Sequence, residues 1–187
     1  MARKVAIYSG SFNPLHIGHL AIIRYMIEEA GFDMVYLIVS PKNPLKDSIS
    51  SATGTERYKA AIEAVNRHFG ERVYVDDIEL TMPEPHYTIR TLDALKEREP
   101  ENSFTFVMGA DNLADIRRWR DYKRILKEFG TAVYPRQGFN LDKIKQDLLS
   151  EDPAYNINII NAGMVDVSST EIRNAMSAGQ NISHLLM

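Results

Sequence analysis

The sequence predicts an α/β fold, a doubly wound, mostly parallel sheet with helices on both faces. Short β-prone runs alternate with helical patterns of ten residues or more, which is the mark of βαβ units. The length of 187 residues suits one domain, and a chain of that size buries roughly 70% of the surface its unfolded form exposes. No repeat, low-complexity stretch or Pro/Gly/Ser-rich linker interrupts the alternation, so residues 1–187 are expected to form a single domain.

The elements follow from local pattern. Residues 4–9 are apolar and β-prone, and residues 17–30 carry Leu20, Ile23, Met26, Ile27 and Ala30 at helical spacing. Residues 34–39 read as the second strand. A polar loop over 40–54 leads to an amphipathic helix with Tyr58, Ala61, Ile62, Val65 and Phe69 on one stripe. Residues 72–76 read as a strand, 88–98 as a helix and 104–108 as a buried strand ending at Gly109. Two short helices are predicted over 111–119 and 121–129, then a strand over 131–134, a helix over 141–149 and a strand over 156–160. The last helix spans 169–177, with Ile172, Ala175 and Met176 facing inward and Gly179 as its stop. Ligands of such a sheet sit beyond the carboxyl ends of strands. The loops at 10–16, 40–54, 109–111 and 163–169 are therefore where function is sought.

Composition narrows what that function is. Lys and Arg number 22 against 25 Asp and Glu, a net charge of −3, the wrong sign for general nucleic-acid binding through phosphates. Cysteine is absent, which removes disulfides, thiolate zinc sites and cysteine nucleophiles together. The apolar run after Arg3-Lys4 is too short for a signal peptide, and no stretch approaches the roughly 18 apolar residues of a membrane helix. A soluble cytoplasmic protein without nucleic-acid or membrane partners is expected, and any anion affinity must be local.

The first loop reads Ser9-Gly10-Ser11-Phe12-Asn13-Pro14-Leu15-His16-Ile17-Gly18-His19. A glycine at a strand end lets backbone approach a ligand, and free amides at a helix start attract anions. His16 and His19, three apart, lie on one side of the first helical turn, where both rings reach one phosphate chain. The pair reads either as a capping turn or as phosphate donors, and its place after the first strand favours the donors. Neither a G-x-G-x-x-G fingerprint nor a Gly-Lys-Ser/Thr loop is present, which argues against dehydrogenases and P-loop kinases. Near the other end stands Val167-Ser168-Ser169-Thr170-Glu171-Ile172-Arg173. Ser168 or Ser169 caps a helix, and the hydroxyls, first-turn amides and Arg173 would make a second phosphate cradle.

These strings resemble the nucleotidylyltransferase superfamily, whose His-x-Gly-His signature matches residues 16–19 and whose Ile-Ser-Ser-Thr-x-x-Arg signature matches residues 167–173. Gly109-Ala110-Asp111-Asn112-Leu113 followed by Trp119, with Tyr87-Thr88 and Glu56-Arg57-Tyr58, resembles the nicotinate mononucleotide adenylyltransferases over residues 5–175. The resemblance implies a Rossmann-like fold and adenylyl transfer from ATP to nicotinate mononucleotide, giving nicotinate adenine dinucleotide and pyrophosphate, with another small nucleotidylyltransferase as the alternative. It implies that Gly10, Ser11, Phe12, His16, His19, Lys42, Ser168, Ser169, Thr170 and Arg173 hold ATP, with His16, His19, Lys46 and Arg173 acting in catalysis. Asn13, Tyr87, Thr88, Asp111, Trp119 and Arg120 are implied for the mononucleotide, with Trp119 and the Tyr87-Thr88 turn on the pyridine ring and Asp111 on ribose.

Bland readings stand beside these: a core tryptophan, an N-cap aspartate, and a solvated basic face over Arg117, Arg118, Arg120, Lys123 and Arg124. The chain departs from many bacterial members at Ser9 to Pro14, where they have Gly-Gly-Thr-Phe-Asp-Pro. It departs again at Pro41-Lys42-Asn43-Pro44-Leu45-Lys46, where they have Pro-Pro-His-Lys, which leaves Lys42 and Lys46 as alternatives for the phosphates and nicotinamide mononucleotide as an alternative acceptor. Mg²⁺ is expected on the ATP phosphates, with no metal site built by the protein, and either a monomer or a homo-oligomer is compatible.

Overall fold

The structure is a computed structural model that describes residues 2–41, 53–162 and 169–187. Six strands, β1 (Lys4–Gly10), β2 (Met34–Val39), β3 (Val73–Asp76), β4 (Ser103–Gly109), β5 (Thr131–Tyr134) and β6 (Ile157–Ile159), form one sheet in the order β3-β2-β1-β4-β5-β6. Every pairing is parallel. The winding reverses between β1 and β4, the switch point of a doubly wound sheet, and ligand crevices open beyond the carboxyl ends of strands at such a point.

The helices are α1 (Ile17–Glu28), α2 (Gly54–His68), α3 (Ile78–Thr81), α4 (Thr88–Arg98), α5 (Ala110–Ala114), α6 (Tyr122–Arg124), α7 (Leu141–Glu151) and α8 (Ser169–Ser177). Because both sheet faces are covered, the strands read as nearly unbroken apolar runs whose alternate residues feed opposite cores. Val5 and Ile7 join Ile38, Phe106 and Val133 under Leu92 and Leu95 of α4. Ala6 and Tyr8 join Leu37, Val107 and Ala132 under Ile23 and Met26 of α1 and Ala61 and Val65 of α2. Each large aliphatic side chain withdrawn fully from water contributes about 1.5–3 kcal/mol. Among the described residues no helix is long and apolar enough to cross a membrane.

The doubly wound architecture is as the sequence predicts, and the differences are local. The helix expected over 111–119 breaks after α5 into a 3₁₀ turn, Ile116–Arg118. Side chains three apart eclipse in such a turn, so Leu113 and Ile116 both reach the core without a continuous helix. The helix expected over 121–129 is α6 followed by a π turn, Ile125–Phe129, whose smaller angle per residue lets the neighbours Ile125 and Leu126 both be fully buried. Helix α3 lies where no element was predicted. Met176 faces solvent rather than the core, because α8 meets the rest of the protein through its first turn and Ile172.

The π turn ends at Gly130, whose φ of +76° places a hypothetical Cβ 2.6 Å from the Asn156 amide nitrogen. Asn156 receives the Thr131 N–H and donates its own N–H to Leu126, both at 2.9 Å, so it cannot retreat freely. Gly130→Ala is expected to lower the unfolding free energy by about 1–3 kcal/mol. Urea denaturation with an unchanged midpoint would contradict this.

Candidate active site

The carboxyl end of β1 passes through Ser11 and Phe12 into α1. Phe12 adopts a left-handed conformation, φ 43°, and its buried ring meets Tyr8 at 5.4 Å and His19 at 5.1 Å, edge to face in both cases. That packing over-determines a backbone shape that a non-glycine residue rarely takes.

His16 is the N-cap of α1. Its Nδ1 accepts the Gly18 N–H at 3.2 Å, and the Nδ1 of His19 accepts the His16 N–H at 3.2 Å, so the two rings cap the helix reciprocally. The rings lie 3.7 Å apart and 34° from parallel. A nitrogen that accepts an N–H carries no proton, so each neutral ring holds its proton on Nε2 and presents a donor there. Burial, followed by the nearby Arg136, lowers the His16 pKa to about 4. Burial, then His16 and Arg136, holds His19 well below the usual imidazole range. The capping and donor readings of the pair are thus one arrangement.

Helix α8 arrives at the same loop. Arg173 donates to the Asn13 carbonyl at 2.8 Å and to the Thr170 hydroxyl at 3.0 Å, and the Ser169 hydroxyl donates to the Pro14 carbonyl at 3.2 Å. Asn13, Ser169, Thr170 and Arg173 therefore stand together beside the first turn of α1. Lys42, Lys46 and Ser168 lie outside the described residues.

Two arginines belong to this end of the sheet for reasons the sequence pattern did not reveal. Arg57 of α2 is buried and donates to the carbonyls of Ser11 at 2.5 Å, Ser40 at 2.8 Å and Pro41 at 3.0 Å, tying the loops after β1 and β2 together. Arg136, just past β5, stacks over the Tyr134 ring at 5.2 Å with its Nε 3.9 Å from the Asp111 carboxylate. Its charge reaches both histidines. Asp111 lies in the first turn of α5, behind the N-cap Gly109, where a Cβ would stand 2.3 Å from Asp111 Oδ1. That oxygen is buried without a hydrogen-bond partner, its nearest cation being the Arg136 Nε at 3.9 Å.

A hollow of about 530 Å³ is lined by Tyr87 and residues 117–124, which set Trp119 and Tyr122 among five basic side chains and one acid, Asp121. Trp119 is neither core nor fully solvated: its ring packs edge-on against Phe106 at 5.9 Å while it lines the hollow. Tyr87 is the N-cap of α4, so Thr88 follows as its first residue. Tyr87, Trp119 and Arg120 are thus brought into one hollow, whereas Thr88, Asn13 and Asp111 are outside its lining.

A parallel sheet with this strand order, carrying a donor pair and a helix start at its switch point, defines a Rossmann-like nucleotide-binding protein. The cytidylyltransferase-like family model matches residues 7–175. A probable nicotinate-nucleotide adenylyltransferase of Flavobacterium johnsoniae is 37% identical over 98% of this chain and 91% of its own. The corresponding probable enzyme of Bacteroides fragilis is 38% identical over 98% of this chain and 87% of its own. The Plasmodium falciparum nicotinic acid mononucleotide adenylyltransferase complexed with NaAD shares the fold, with a TM-score of 0.77 at 20% identity, covering 96% of this chain and 87% of that one. The chain belongs to the cytidylyltransferase-like family and, within it, to the nicotinate-nucleotide adenylyltransferases.

The buried histidines tie stability to pH. From about pH 6.5, where a free imidazole titrates, down to about pH 4, the unfolded chain binds protons that the folded rings refuse. Stability is therefore expected to fall on acidification through this window. NMR titration should find the His16 ring unchanged down to about pH 5, and titration of that ring near 6.5 would contradict the burial argument.

Proposed function

We infer that this chain transfers the adenylyl group of ATP to the 5′-phosphate of nicotinate mononucleotide, giving nicotinate adenine dinucleotide and pyrophosphate, and that residues 1–187 act as one cytoplasmic nucleotidylyltransferase domain. The observation that carries this reading is the meeting, at one loop beyond β1, of two neutral imidazoles with Nε2 donors and the first turn of α8 with Arg173. The NaAD bound to the Plasmodium relative is the product of such a transfer.

The acceptor phosphate is already ionised near pH 7, so no general base is required. Its oxygen attacks the α-phosphorus of ATP, the bond from that phosphorus to the bridging oxygen breaks, and pyrophosphate leaves. Catalysis is then a matter of alignment and of donors aimed at oxygens where charge develops. In this reading Gly10, Ser11 and Phe12 shape the phosphate loop. His16 and His19 donate to phosphate oxygens as neutral groups, which the protein need not discharge afterwards. Two of the five N–H donors of Arg173 are committed to Asn13 and Thr170, which aims the rest of the guanidinium. Ser169 and Thr170 complete that cradle and Arg136 adds charge from just past β5, while Ser168 and Lys42 or Lys46 are assigned to ATP by the motif alone.

Mg²⁺ enters as part of the ATP substrate and neutralises phosphate charge. Among the described residues no group of three His, Asp or Glu side chains is arranged to hold a metal. On the acceptor side, Trp119 and Tyr87 stack the pyridine ring in the hollow that Arg120 also lines, and the Asp111 oxygen that has no hydrogen-bond partner accepts a ribose hydroxyl. Arg118 and Arg120, held among the described residues only by exposed ion pairs to Asp115 at 3.9 Å and Asp121 at 3.5 Å, favour the carboxylate of nicotinate over the amide of nicotinamide.

Pyrophosphate release on mixing the protein with MgATP and nicotinate mononucleotide tests the assignment, and no release with either pyridine mononucleotide would overturn it. A charge-assisted hydrogen bond contributes about 1.5–3 kcal/mol, so kcat/KM for the acid form should exceed that for the amide form by about tenfold or more. His19→Ala is expected to lower turnover at least about 100-fold, the scale of losing one transition-state donor. His19→Asn, whose amide oxygen stands where Nδ1 stood, should keep the cap and the melting temperature yet share the loss. Near-normal turnover in either folded variant would defeat the role of His19.

A further inference from the structure

The turn that carries Trp119 is strained and lies at the surface, yet it must stand still if it is to hold a ring. Asp121 sits in its middle with φ 51° and ψ 36°, a left-handed conformation unusual for a residue other than glycine. Backbone bonds hold its flanks, with the Asp121 carbonyl accepting from Arg124 at 2.9 Å and Ile125 at 3.3 Å, but span its middle only once. Trp119 donates to Ile116, and Tyr122 donates to Trp119 at 3.3 Å.

Both arms of the turn instead reach to one carboxylate on α7. Glu151 accepts from Arg117 Nε at 3.0 Å on one oxygen, and from the hydroxyls of Tyr122 at 2.5 Å and Tyr155 at 2.9 Å on the other, with Lys123 Nζ at 3.7 Å. Arg117 precedes Trp119 and Tyr122 follows it, so the two sides are fastened to a single point. Glu151 is the last residue of α7, and that last turn contains no basic residue. Negative charge there opposes the helix dipole, so the position is locally unfavourable for a glutamate. The converging donors offset that cost, and they hold its carboxyl down to about 2, ionised at any physiological pH. A solitary exposed ion pair contributes little to stability. Three hydrogen-bond donors and an ion-paired lysine, from three segments, form on one carboxylate a network that specifies geometry instead.

We propose that Glu151 is a positioning residue of the acceptor hollow, fastening both arms of the Asp121 turn to α7 and so setting where Trp119 and Arg120 stand. Glu151 does not line the hollow, and the proposal rests on the reading of the hollow as the mononucleotide site.

Trp119 is the only tryptophan in the chain, so its emission reports the turn directly. In Glu151→Gln, which keeps the shape and removes the charge, Trp119 is expected to emit further to the red and to be quenched more readily by acrylamide. Nicotinate mononucleotide, titrated by Trp119 quenching, should bind about five- to twentyfold more weakly while KM for ATP stays within about twofold. Equal acceptor affinity and equal acrylamide quenching in wild type and Glu151→Gln would overturn the proposal and leave the reading of the hollow standing. If the mononucleotide does not change Trp119 emission in the wild type and Trp119→Phe leaves the acceptor KM unchanged, both fall. Should Glu151→Gln lose its cooperative melting transition, Tyr155→Phe, which removes one donor from outside the hollow, carries the test. A weakened acceptor affinity supports the proposal there, and an unchanged one overturns it.

Discussion

The start of a helix leaves backbone N–H groups without intrahelical acceptors, and in α1 two imidazole nitrogens serve where a hydroxyl or carboxylate usually would. That choice settles several properties together. An Nδ1 used as an acceptor fixes the tautomer, so the proton and the donor direction belong to Nε2. Burial then keeps the rings neutral, which lets them sit 3.7 Å apart without mutual repulsion. A serine cap would satisfy the backbone equally well, but its donor would be a rotating hydroxyl held close to the backbone rather than a fixed N–H at the far side of a ring. In the proposed function the nucleotide is met by a cap that is also a pair of donors.

A net charge of −3 looks unpromising for a protein that handles three or four phosphates at once. Much of the positive charge is committed elsewhere. Arg57 binds three carbonyls, Arg72 reaches the carbonyls of Ile27 and Phe32, Arg98 pairs with buried Asp76, and Arg124 with Asp93 and Glu128. The guanidinium fork is being used as a structural fastener, a role its fixed planar array of donors suits. Arg173 holds the loop after β1 with part of its fork and, in the proposed function, offers the rest to phosphate. Local charge, set by which cations are left uncommitted, matters more than the total.

The sheet and the histidine pair were legible because their signals are local: apolar alternation, helical spacing and a short string after the first strand. The start of α8 was legible for the same reason. Arg57 and Arg136 were not, because what marks them is what they touch: Arg57 meets residues 46, 17 and 16 positions away along the chain. Glu151 was hidden more thoroughly, as an acid at the end of an amphipathic helix reads as an ordinary surface residue until its donors are placed around it. The π turn escaped because Ile125 and Leu126, adjacent and both buried, fit no simple helical stripe. Met176 misled in the opposite sense, since its spacing from Ile172 suited an inward face that the short contact of α8 does not extend to.

The bonds from Arg173 to Asn13 and from Ser169 to Pro14 join residues 160 and 155 positions apart. Contacts of such separation close late, because the loop entropy between their partners must be overcome before they return anything. A chain still being synthesised can already contain β1, the histidine pair and the start of α1, yet have no α8 to meet them. The contact between α8 and the loop after β1 therefore exists only once both segments have been made and brought together. In the proposed function, a nucleotide spanning the two would hold α1 and α8 to each other.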